Sequence, residues 1–385
     1  LSVDDWKGAS VTLALTVFGH TSRVWQSCVL TDKKIVSCGE DSVVNLWKKE
    51  GECLSRQETH QGGGVWCMDV RQTGDEVLVV TGGVDGGVNL WSLDTAPPQS
   101  LPLPPPPDIP RRITLLPGLR PLVTTESGNL VLYSNHSWSI VFSDPKIASY
   151  CLLEVSPSRL LIALASINGH IIILRSTDLG VALDKQVAEG RIFSLHWLSE
   201  DILLSCHDGG FLSVWKIKNS EVDLDELGVV YMPACKERWT TAAVLFDGAV
   251  VYGDRAGNIH FSHILSRQSN YLDAVKTVTR AHSQQGVCSL SVVRGQIWST
   301  GRDGTVKQFS VNSHCGLTLV STCHLPVDWA AQLLSIPSAL LCFHESSVVL
   351  WSLKERRKLL SLLCGGGHRS WSCLVDDNQF VFAYL

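Results

Sequence analysis

The chain alternates short apolar runs with turns, and one apolar position recurs at a nearly constant period. Runs such as Leu160–Ala165 end after six residues, which is the usual length of a β-strand. A large apolar residue closes the third predicted strand of each unit, at separations of 41 to 48 residues: Trp6, Trp47, Trp91, Tyr133, Leu174, Trp215, Phe261, Phe309 and Trp351. Repeats of this length, built from four short strands, are typical of WD-type β-propeller blades. The pattern therefore predicts an all-β chain of such blades.

Three of these units carry the same polar residues at the same spacing. In each, a His precedes the first strand, a Ser or Thr lies in the second, and an Asp stands six residues before the closing aromatic. Such an Asp can cap turn amides and hold the His, which in turn reaches the hydroxyl. Buried polar groups persist when they are hydrogen-bonded, so we interpret these residues as structural rather than catalytic. The predicted networks are His20, Ser37, Asp41 and Trp47; His60, Thr81, Asp85 and Trp91; and His282, Thr300 and Asp303.

The other units keep the turn but lose part of this network. Examples are Asn168-Gly169-His170 and the turn from Asp254 to Asn258. Because the network of these units is incomplete, we expect the packing of inward side chains to hold their blades together. The stretch from Ile264 to Arg280 lengthens one unit. We predict a projecting loop there, with helical tendency over Tyr271–Val278.

A proline-rich segment divides the chain. Eight of the fifteen prolines fall between residues 97 and 110, where the fourth strand of a blade should lie. Proline cannot donate to a β-ladder, so this segment is predicted to be a semi-rigid linker. A blade without its outer strand marks the end of a ring. We therefore predict that residues 1–93 are the last two to three blades of one seven-bladed propeller and that residues 94–111 are a linker. Residues 112–385 are predicted to form six blades of a second propeller and the start of a seventh. The alternative is a single ring with a proline-rich insertion.

Composition narrows the class of protein. At 18% charged and 45% hydrophobic residues the chain is too apolar for a disordered protein, and its thirteen Trp suit aromatic-rich sheets. It begins with Leu1 and without a signal peptide, which suggests part of a longer cytoplasmic protein, and no apolar run reaches the ~18 residues of a membrane-spanning helix. Thirteen Cys without a Cys-x-x-Cys pair favour free thiols in a reducing compartment and no metal site.

Charge limits the candidate binding sites to local clusters. The formal net charge of −5 argues against a uniformly basic nucleic-acid-binding surface. However, Arg residues stand beside aromatics where the first strand of a blade begins, a pairing that suits phosphates, stacked bases or acidic loops. The alternative is that the rings pack in the core and the Arg side chains pair with acids. The candidates are Arg23, Trp25, Arg111, Arg112, Arg191, Arg238, Trp239, Arg369 and Trp371.

A second basic cluster follows the last closing Trp. It consists of Lys354, Arg356, Arg357 and Lys358, and we interpret it either as a binding patch or as the solvated, protected edge of a sheet. No phosphate loop, nucleophile elbow, His-Glu-x-x-His sequence or paired-carboxylate motif occurs, so the sequence gives no support for an enzyme.

Several longer strings resemble one family of repeat proteins. They are Phe18-Gly19-His20-Thr21-Ser22-Arg23-Val24-Trp25-Gln26, Ser149 to Glu154, Gly253-Asp254-Arg255, Thr300 to Gly304, Cys364-Gly365-Gly366-Gly367-His368-Arg369-Ser370-Trp371 and Phe382 to Leu385. These strings resemble the WD repeat-containing protein six family, whose members are long multi-propeller partners of an FtsJ-type RNA ribose methyltransferase. The resemblance extends from residue 18 to the end of the chain and covers an internal portion of the longer family sequence.

The resemblance implies a non-catalytic accessory subunit. Its methyltransferase partner would carry S-adenosylmethionine and methylate the 2′-hydroxyl of the tRNA wobble nucleotide, while the propeller protein positions the tRNA. No cofactor, metal, membrane or DNA is expected for this chain itself. The family-matching candidates for contact with RNA or partner are Arg23, Arg369 and Trp371. The alternative function is a WD-repeat scaffold for protein–protein interaction without RNA contact.

Overall fold

The predicted all-β architecture of propeller blades is confirmed by a computed structural model of the chain. The structure describes residues 13, 15–60, 64–73, 76–92, 102–207, 211–218, 223–233, 239–265, 275–312, 316–334, 339–376 and 379–385. Within these ranges the sheets are antiparallel and the strands pair in chain order. Contacts divide the chain into two compact units, residues 1–103 and 104–385.

The first unit contains two sheets. Four strands form one sheet: β1 (Val24–Val29), β2 (Ile35–Gly39), β3 (Val43–Trp47) and β4 (Cys53–Glu58). Three strands form the other: β5 (Val65–Thr73), β6 (Glu76–Gly83) and β7 (Val88–Ser92). The third strand of each sheet ends at or next to its predicted Trp, in line with the periodicity of the sequence. Trp6 lies outside the described residues.

The second unit contains six sheets of four strands and one of two. Its strands are β8 (Pro110–Leu116), β9 (Arg120–Thr125), β10 (Asn129–Ser134), β11 (Ser137–Ser143); β12 (Cys151–Val155), β13 (Leu161–Ser166), β14 (His170–Arg175), β15 (Val181–Gln186); β16 (Ile192–Trp197), β17 (Ile202–His207), β18 (Phe211–Ile217), β19 (Leu224–Tyr231); β20 (Thr240–Phe246), β21 (Ala249–Asp254), β22 (Ile259–His263), β23 (Lys276–Val278); β24 (Val287–Val293), β25 (Gln296–Gly301), β26 (Thr305–Val311), β27 (Leu317–His324); β28 (Trp329–Leu333), β29 (Ala339–His344), β30 (Ser347–Ser352), β31 (Arg357–Leu363); and β32 (Trp371–Asp376) with β33 (Gln379–Tyr384).

Two local predictions need correction. Residues 276–278 form strand β23 rather than part of a helix, because they complete the sheet beside β22; residues 266–274 lie outside the described residues. The predicted linker 94–111 is also too long at its end, because β8 begins at Pro110 and pairs with β9 from that residue. Proline is compatible with this position because it is the first residue of its strand.

The second unit closes on itself through its first and last sheets. Strand β32 packs against β8, and the hydroxyls of Ser370 and Ser372 accept hydrogen bonds from the backbone N–H groups of Ile113 and Leu115 at 3.0 and 3.1 Å. Arg159 also bridges the two strands by donating to the carbonyls of Leu115 and Cys373. The seven sheets therefore form one ring, with the first strand of each sheet innermost.

Each sheet of the second unit is packed between two neighbours, which explains why its middle strands are apolar on both faces. Ile162, Leu164, Ile171 and Ile173 are fully buried on β13 and β14, although they point to opposite faces of their sheet. Burial of such side chains stabilises a fold by roughly 1.5–3 kcal/mol each. This packing holds together the sheets that lack a His–Asp network.

The His–Asp networks occur at the turn between the second and third strands. His20 donates from Nδ1 to Asp41 at 2.8 Å, and its Nε2 accepts from the Ser37 hydroxyl, also at 2.8 Å. The same hydroxyl accepts from Trp47 Nε1 at 2.8 Å. Burial alone would raise the pKa of Asp41, but the bonds from His20 and Thr21 outweigh it and hold the pKa below its ordinary value. His60 likewise contacts Asp85 at 2.8 Å and Thr81 at 3.1 Å, whereas the side chain of Trp91 lies outside the described residues.

The third network differs from the prediction at one residue. His282 contacts Asp303 at 3.0 Å as expected, but its Nε2 pairs with Ser299 at 2.7 Å and not with Thr300. Side chains alternate along β25, so the Ser299 hydroxyl faces the His while the Thr300 hydroxyl faces the opposite side and donates to the Ala331 carbonyl. Spacing alone could not distinguish these two neighbouring hydroxyls.

The first strand of most sheets contains a β-bulge close to its start. The residue at the bulge has no cross-strand partner, since pairing skips from the residue before it to the residue after it. The bulged residues are Trp25, Trp66, Arg111, Phe193, Thr241, Cys288 and Ala331. Bulges redirect a side chain relative to the regular pleat. They therefore set the direction of several residues that the sequence singles out.

Candidate functional site

The candidate residues of the second unit lie mainly at one end of its ring. Because neighbouring strands are antiparallel, the start of a first strand lies at the same end as the turn between the second and third strands. We call this end the top face. Arg111, Arg191, Trp239 and Arg369 all lie at or just before the start of a first strand, and so belong to it.

A cluster of three aromatic rings and one guanidinium covers part of the top face. The Arg191 guanidinium lies 3.9 Å from the centre of the Tyr150 ring and 5.6 Å from that of Phe193. Phe193 contacts Trp239, with ring centroids 5.9 Å apart. Tyr150, Phe193 and Trp239 lie at the starts of β12, β16 and β20, which belong to three successive sheets. The Tyr150 hydroxyl donates to the Ile192 carbonyl at 2.7 Å, which fixes the ring under Arg191.

Two further arginines reach aromatic rings from the turns between second and third strands. Arg255 lies 5.1 Å from the Trp239 ring centre, and Arg302 lies 4.2 Å from that of Trp329. His368 contacts the Trp329 ring edge-on at 4.6 Å. Cation–π contacts of this kind are worth ~0.5–2 kcal/mol and hold a guanidinium over its ring.

The glycine triplet places His368 and Trp329 together. The N–H groups of Cys364, Gly365 and Gly366 all donate to the Ser346 carbonyl, and Gly365 and Gly366 have φ of 79° and 91°. A Cβ on Gly367 would come within 2.7 Å of Trp329 and of Phe343. The first two glycines therefore permit the turn, and the third permits close approach to the aromatic rings.

The charges on the top face are only partly neutralised. Arg111 forms an ion pair with Glu126. In the ranges that the structure describes, no carboxylate lies within ion-pair distance of Arg191, Arg302 or Arg369. These three guanidinium groups can therefore accept an anion without first breaking an ion pair.

Arg112 is exposed on β8, and Glu154 is exposed on the neighbouring first strand, β12. The positive charge of Arg112 partly offsets the desolvation that raises the pKa of Glu154 and of Cys151. Arg112 therefore already acts on acidic groups of β12, which makes it a weaker candidate for an external ligand.

Trp371 and Arg369 have different roles. The Trp371 ring packs against Phe343 and Phe382 with centroids 5.5 and 6.1 Å apart, so it supports an aromatic cluster and is only partly exposed. Arg369 is exposed and donates to the Leu385 carbonyl at 3.3 Å. Contact of either residue with a ligand stays a prediction, and Arg369 is the more accessible of the two.

The remaining candidates lie elsewhere. Arg23 and Trp25 are exposed in the first unit, where the bulge directs Trp25 outward. Arg238 lies outside the described residues. The basic cluster lies at the turn between β30 and β31, which is the end of the ring opposite the top face. Within the cluster, Arg357 pairs with Glu355 at 2.6 Å. Its members are Lys354, Arg356, Arg357 and Lys358. This arrangement matches a solvated edge.

Sequence reasoning missed Tyr150, Arg255, Arg302, Trp329 and the exposed Trp66. Their partners come from neighbouring sheets, so no local string contains both members of a pair. Aligning the units at the start of the first strand would have placed Tyr150, Trp239 and Trp329 in nearly the same column.

Within the part of the chain that the structure describes, no group of three or more His, Cys, Asp or Glu side chains could hold a metal ion. A search of the same ranges for a helix long and apolar enough to cross a membrane finds none.

Comparisons with known proteins agree with this architecture. The family model "WD domain, G-beta repeat" matches residues 12–48 and 51–92. A chain in a crystal structure of the mitotic checkpoint complex is similar in fold, with a TM-score of 0.51, 12% identity, and coverage of 70% of this chain and 82% of that chain.

Two curated relatives cover nearly the whole chain. The "tRNA (34-2′-O)-methyltransferase regulator WDR6" of Mus musculus is 29% identical over 423 residues, which include 96% of this chain and 37% of the relative. The protein of the same name from Drosophila melanogaster is 25% identical over 406 residues, with 99% of this chain and 40% of the relative covered. The chain thus spans about two fifths of the length of these relatives. The chain is therefore similar over nearly its whole length to these WD-repeat proteins.

Proposed function

We propose that this chain belongs to a non-catalytic regulator of a tRNA 2′-O-ribose methyltransferase, and that the top face of its second unit contacts the tRNA. The observation that carries the proposal is that Arg191 and Arg302 are held over aromatic rings without acidic partners among the described residues. The names of the curated relatives supply the methyltransferase and nucleotide 34 as its target.

The chemistry of the top face suits RNA that is not fully paired. Exposed bases stack on aromatic side chains and on arginine planes, at ~1–3 kcal/mol per base. Phosphates bind guanidinium groups through charge-assisted hydrogen bonds. Arg191 and Arg302 each combine these properties, because each offers a cation fixed beside a ring.

The proposed role is positional. A surface that binds the tRNA away from the reacting nucleotide raises the fraction of enzyme-bound tRNA that has its 2′-hydroxyl in the partner's active site. The methyl donor and the catalytic groups then belong to the methyltransferase. Loss of the top face should raise KM for tRNA and leave the association of the two proteins intact.

The test uses the full chain, purified with its methyltransferase, and measures 2′-O-methylation of nucleotide 34. The variant carries Arg191→Ala, Arg302→Ala and Arg369→Ala. We expect at least a tenfold lower kcat/KM for tRNA and a smaller salt dependence of tRNA binding. Each lost phosphate contact should reduce the slope of log K against log salt by about 0.7–0.9.

A matched control replaces three cations at the opposite end of the ring: Lys354→Ala, Arg356→Ala and Arg357→Ala. This control removes the same formal charge, so unequal effects identify the top face rather than net charge. Equal losses in the two folded variants would contradict the assignment of the surface. Unchanged methylation and unchanged tRNA binding in both variants would instead favour a protein–protein scaffold.

A further inference from the structure

A cavity of about 520 Å³ opens at the end of the ring opposite the top face. It is lined by the turns that follow the first strands, including Pro117, Pro157 and Arg159, together with Gln332 on β28 and Leu374 on β32. Its volume falls within the ~300–1,000 Å³ of typical ligand sites. Its lining combines apolar side chains and prolines with the polar Ser158 and Gln332, and Arg159 supplies a positive charge.

Arg159 is held in an unusual conformation. Its φ of 59° places a non-glycine residue in the left-handed region, which is unfavourable for a residue with a Cβ. Its backbone N–H donates to the Ser156 carbonyl at 2.8 Å, which closes the turn. The side chain then donates to the carbonyls of Leu115 and Cys373, so the guanidinium is fixed at the wall of the cavity.

The charge of Arg159 is not neutralised by the surrounding protein. Carbonyl oxygens satisfy two of its donors, and no carboxylate in the described ranges lies within ion-pair distance of it. Glu200, in the corresponding turn of the next sheet, accepts from the backbone N–H and the hydroxyl of Ser158, beside Arg159. Burial lowers the pKa of the Arg159 guanidinium, which indicates a poorly solvated cation.

A second arginine strengthens the positive potential beside the cavity. Arg120 is half-buried and donates to the carbonyls of Pro117 and Ser176, both at 3.1 Å. Neither acceptor carries a formal charge. The two cations next to the cavity therefore lack anionic partners in the part of the chain that the structure describes.

We propose that this cavity binds a carboxylate on an apolar stem, presented by an acidic segment of a partner protein. Arg159 lines the cavity whereas Arg120 does not, so the cavity itself presents one positive charge, which matches a monoanion, and the leucine and proline side chains of the lining accommodate the stem. A phosphate dianion would leave an unbalanced negative charge beside this cation and lose more hydration on entering the cavity. The proposal does not depend on the function proposed above, since the cavity and the top face lie at opposite ends of the ring.

The experiment measures retention of two peptide pools on the immobilised full chain. Both contain N-acetylated, C-amidated heptapeptides with Ala, Leu, Pro or Ser at six positions, and the central residue is Glu in one pool and Gln in the other. Charge-assisted hydrogen bonds in a poorly solvated site predict about tenfold greater retention of the Glu pool. A parallel titration with 4-methylpentanoate tests a free small-molecule carboxylate.

Two variants connect binding to the cavity. Arg159→Gln removes the cation and should abolish the preference for Glu. Because this change also removes a bridge between β8 and β32, Gln332→Glu is the second variant: it places a carboxylate in the cavity and leaves the bridge intact. It should abolish the preference even if Arg159→Gln does not fold. Arg302→Ala, on the top face, is the control and should retain the preference.

Each outcome decides between sources or against the site. Loss of the Glu preference in Gln332→Glu, with Arg302→Ala unaffected, supports the cavity as a site for an acidic protein segment. Binding of 4-methylpentanoate without any preference between the peptide pools would keep the carboxylate site but overturn the protein partner as its ligand. Equal retention of both pools together with no 4-methylpentanoate binding, or a preference that survives in Gln332→Glu, would overturn the site.

Discussion

Replacement of Asp303 by Asn should destabilise the second unit in a pH-dependent way. Asp303 accepts hydrogen bonds from His282 Nδ1 at 3.0 Å and from the Thr305 hydroxyl at 2.7 Å. The Thr305 backbone N–H also donates to it, at 3.2 Å. An amide in the same place carries no charge and presents an N–H₂ group to at least one of these donors.

The magnitude follows from the protonation equilibrium of Asp303. Burial of the side chain, which is only 11% exposed, would by itself raise its pKa. The bonds from His282 and Thr305 outweigh burial and lower the pKa from 3.8 to about 2. One pKa unit corresponds to about 1.4 kcal/mol, so the ionised Asp contributes about 2 kcal/mol to the free energy of unfolding.

The direction of the pH dependence is set by this lowered pKa. The stabilisation is fully present above pH 4, where the unfolded chain is also ionised, and it is lost as the pH falls from about 4 towards 2. The difference between the native chain and Asp303→Asn should therefore be about 2 kcal/mol at pH 7 and smaller at pH 3. Urea unfolding followed by proteolysis of the unfolded fraction, repeated from pH 7 to pH 3, measures both quantities.

Glu355→Gln provides the matched control. It also replaces a carboxylate by an amide, but Glu355 is 50% exposed and its partner Arg357 is 60% exposed. Exposed pairs contribute little, so the unfolding free energy should change by less than about 0.5 kcal/mol. A loss in Asp303→Asn that is the same at pH 3 as at pH 7 would refute the role of ionisation. A loss no larger than in the control would refute the network as a source of stability.

Three further changes should have separable effects. Ser37→Ala leaves the buried Trp47 Nε1–H without its acceptor and removes one of two contacts of His20 Nε2, which keeps Asn45, so it should lower the free energy of unfolding of the first unit by about 2 kcal/mol in urea titrations. Gly367→Ala should displace the Trp329 ring, change tryptophan fluorescence and weaken tRNA binding several-fold. Tyr150→Phe removes one hydrogen bond and should cost about 1 kcal/mol of stability, while tRNA affinity changes less than twofold because the ring under Arg191 remains.

Matched substitutions check these three results. Ser27→Ala alters an exposed hydroxyl on β1 and should leave stability unchanged. Gly316→Ala introduces a methyl group that meets only the flexible Asn312 side chain, so it should affect neither fluorescence nor binding. For Tyr150, the informative comparison is Tyr150→Leu, which removes the ring. If Phe and Leu weaken tRNA binding equally, the stacking assignment is wrong.

The repeat was predictable because its signals are local. The spacing from His20 to Asp41 reflects two short strands and their turns, and it recurs wherever the same blade geometry recurs. The choice between Ser299 and Thr300 was not predictable in this way. It depends on which face of β25 meets His282, and a shift of one residue reverses that face.

The candidate site was only partly predictable for a different reason. Arg191 and Tyr150 come from consecutive sheets and lie 41 residues apart in the chain, and Arg302 meets Trp329 across the same kind of boundary. Such pairs depend on how the sheets pack around the ring. The sequence indicated the arginines at strand starts, but it could not separate Trp371, which packs inward, from Trp239, which also contacts Arg255.

The bulges near the starts of the first strands have a consequence for how this surface can diversify. A bulged residue such as Phe193 has no cross-strand partner, so its identity is only weakly constrained by the ladder beside it. Trp, Arg, Phe, Thr, Cys and Ala occupy the seven bulged positions while the strands around them keep their pairing. The side chain at a bulged position can therefore be replaced without loss of strand pairing, so a single substitution there can change the ligand preference of a blade while its fold is retained.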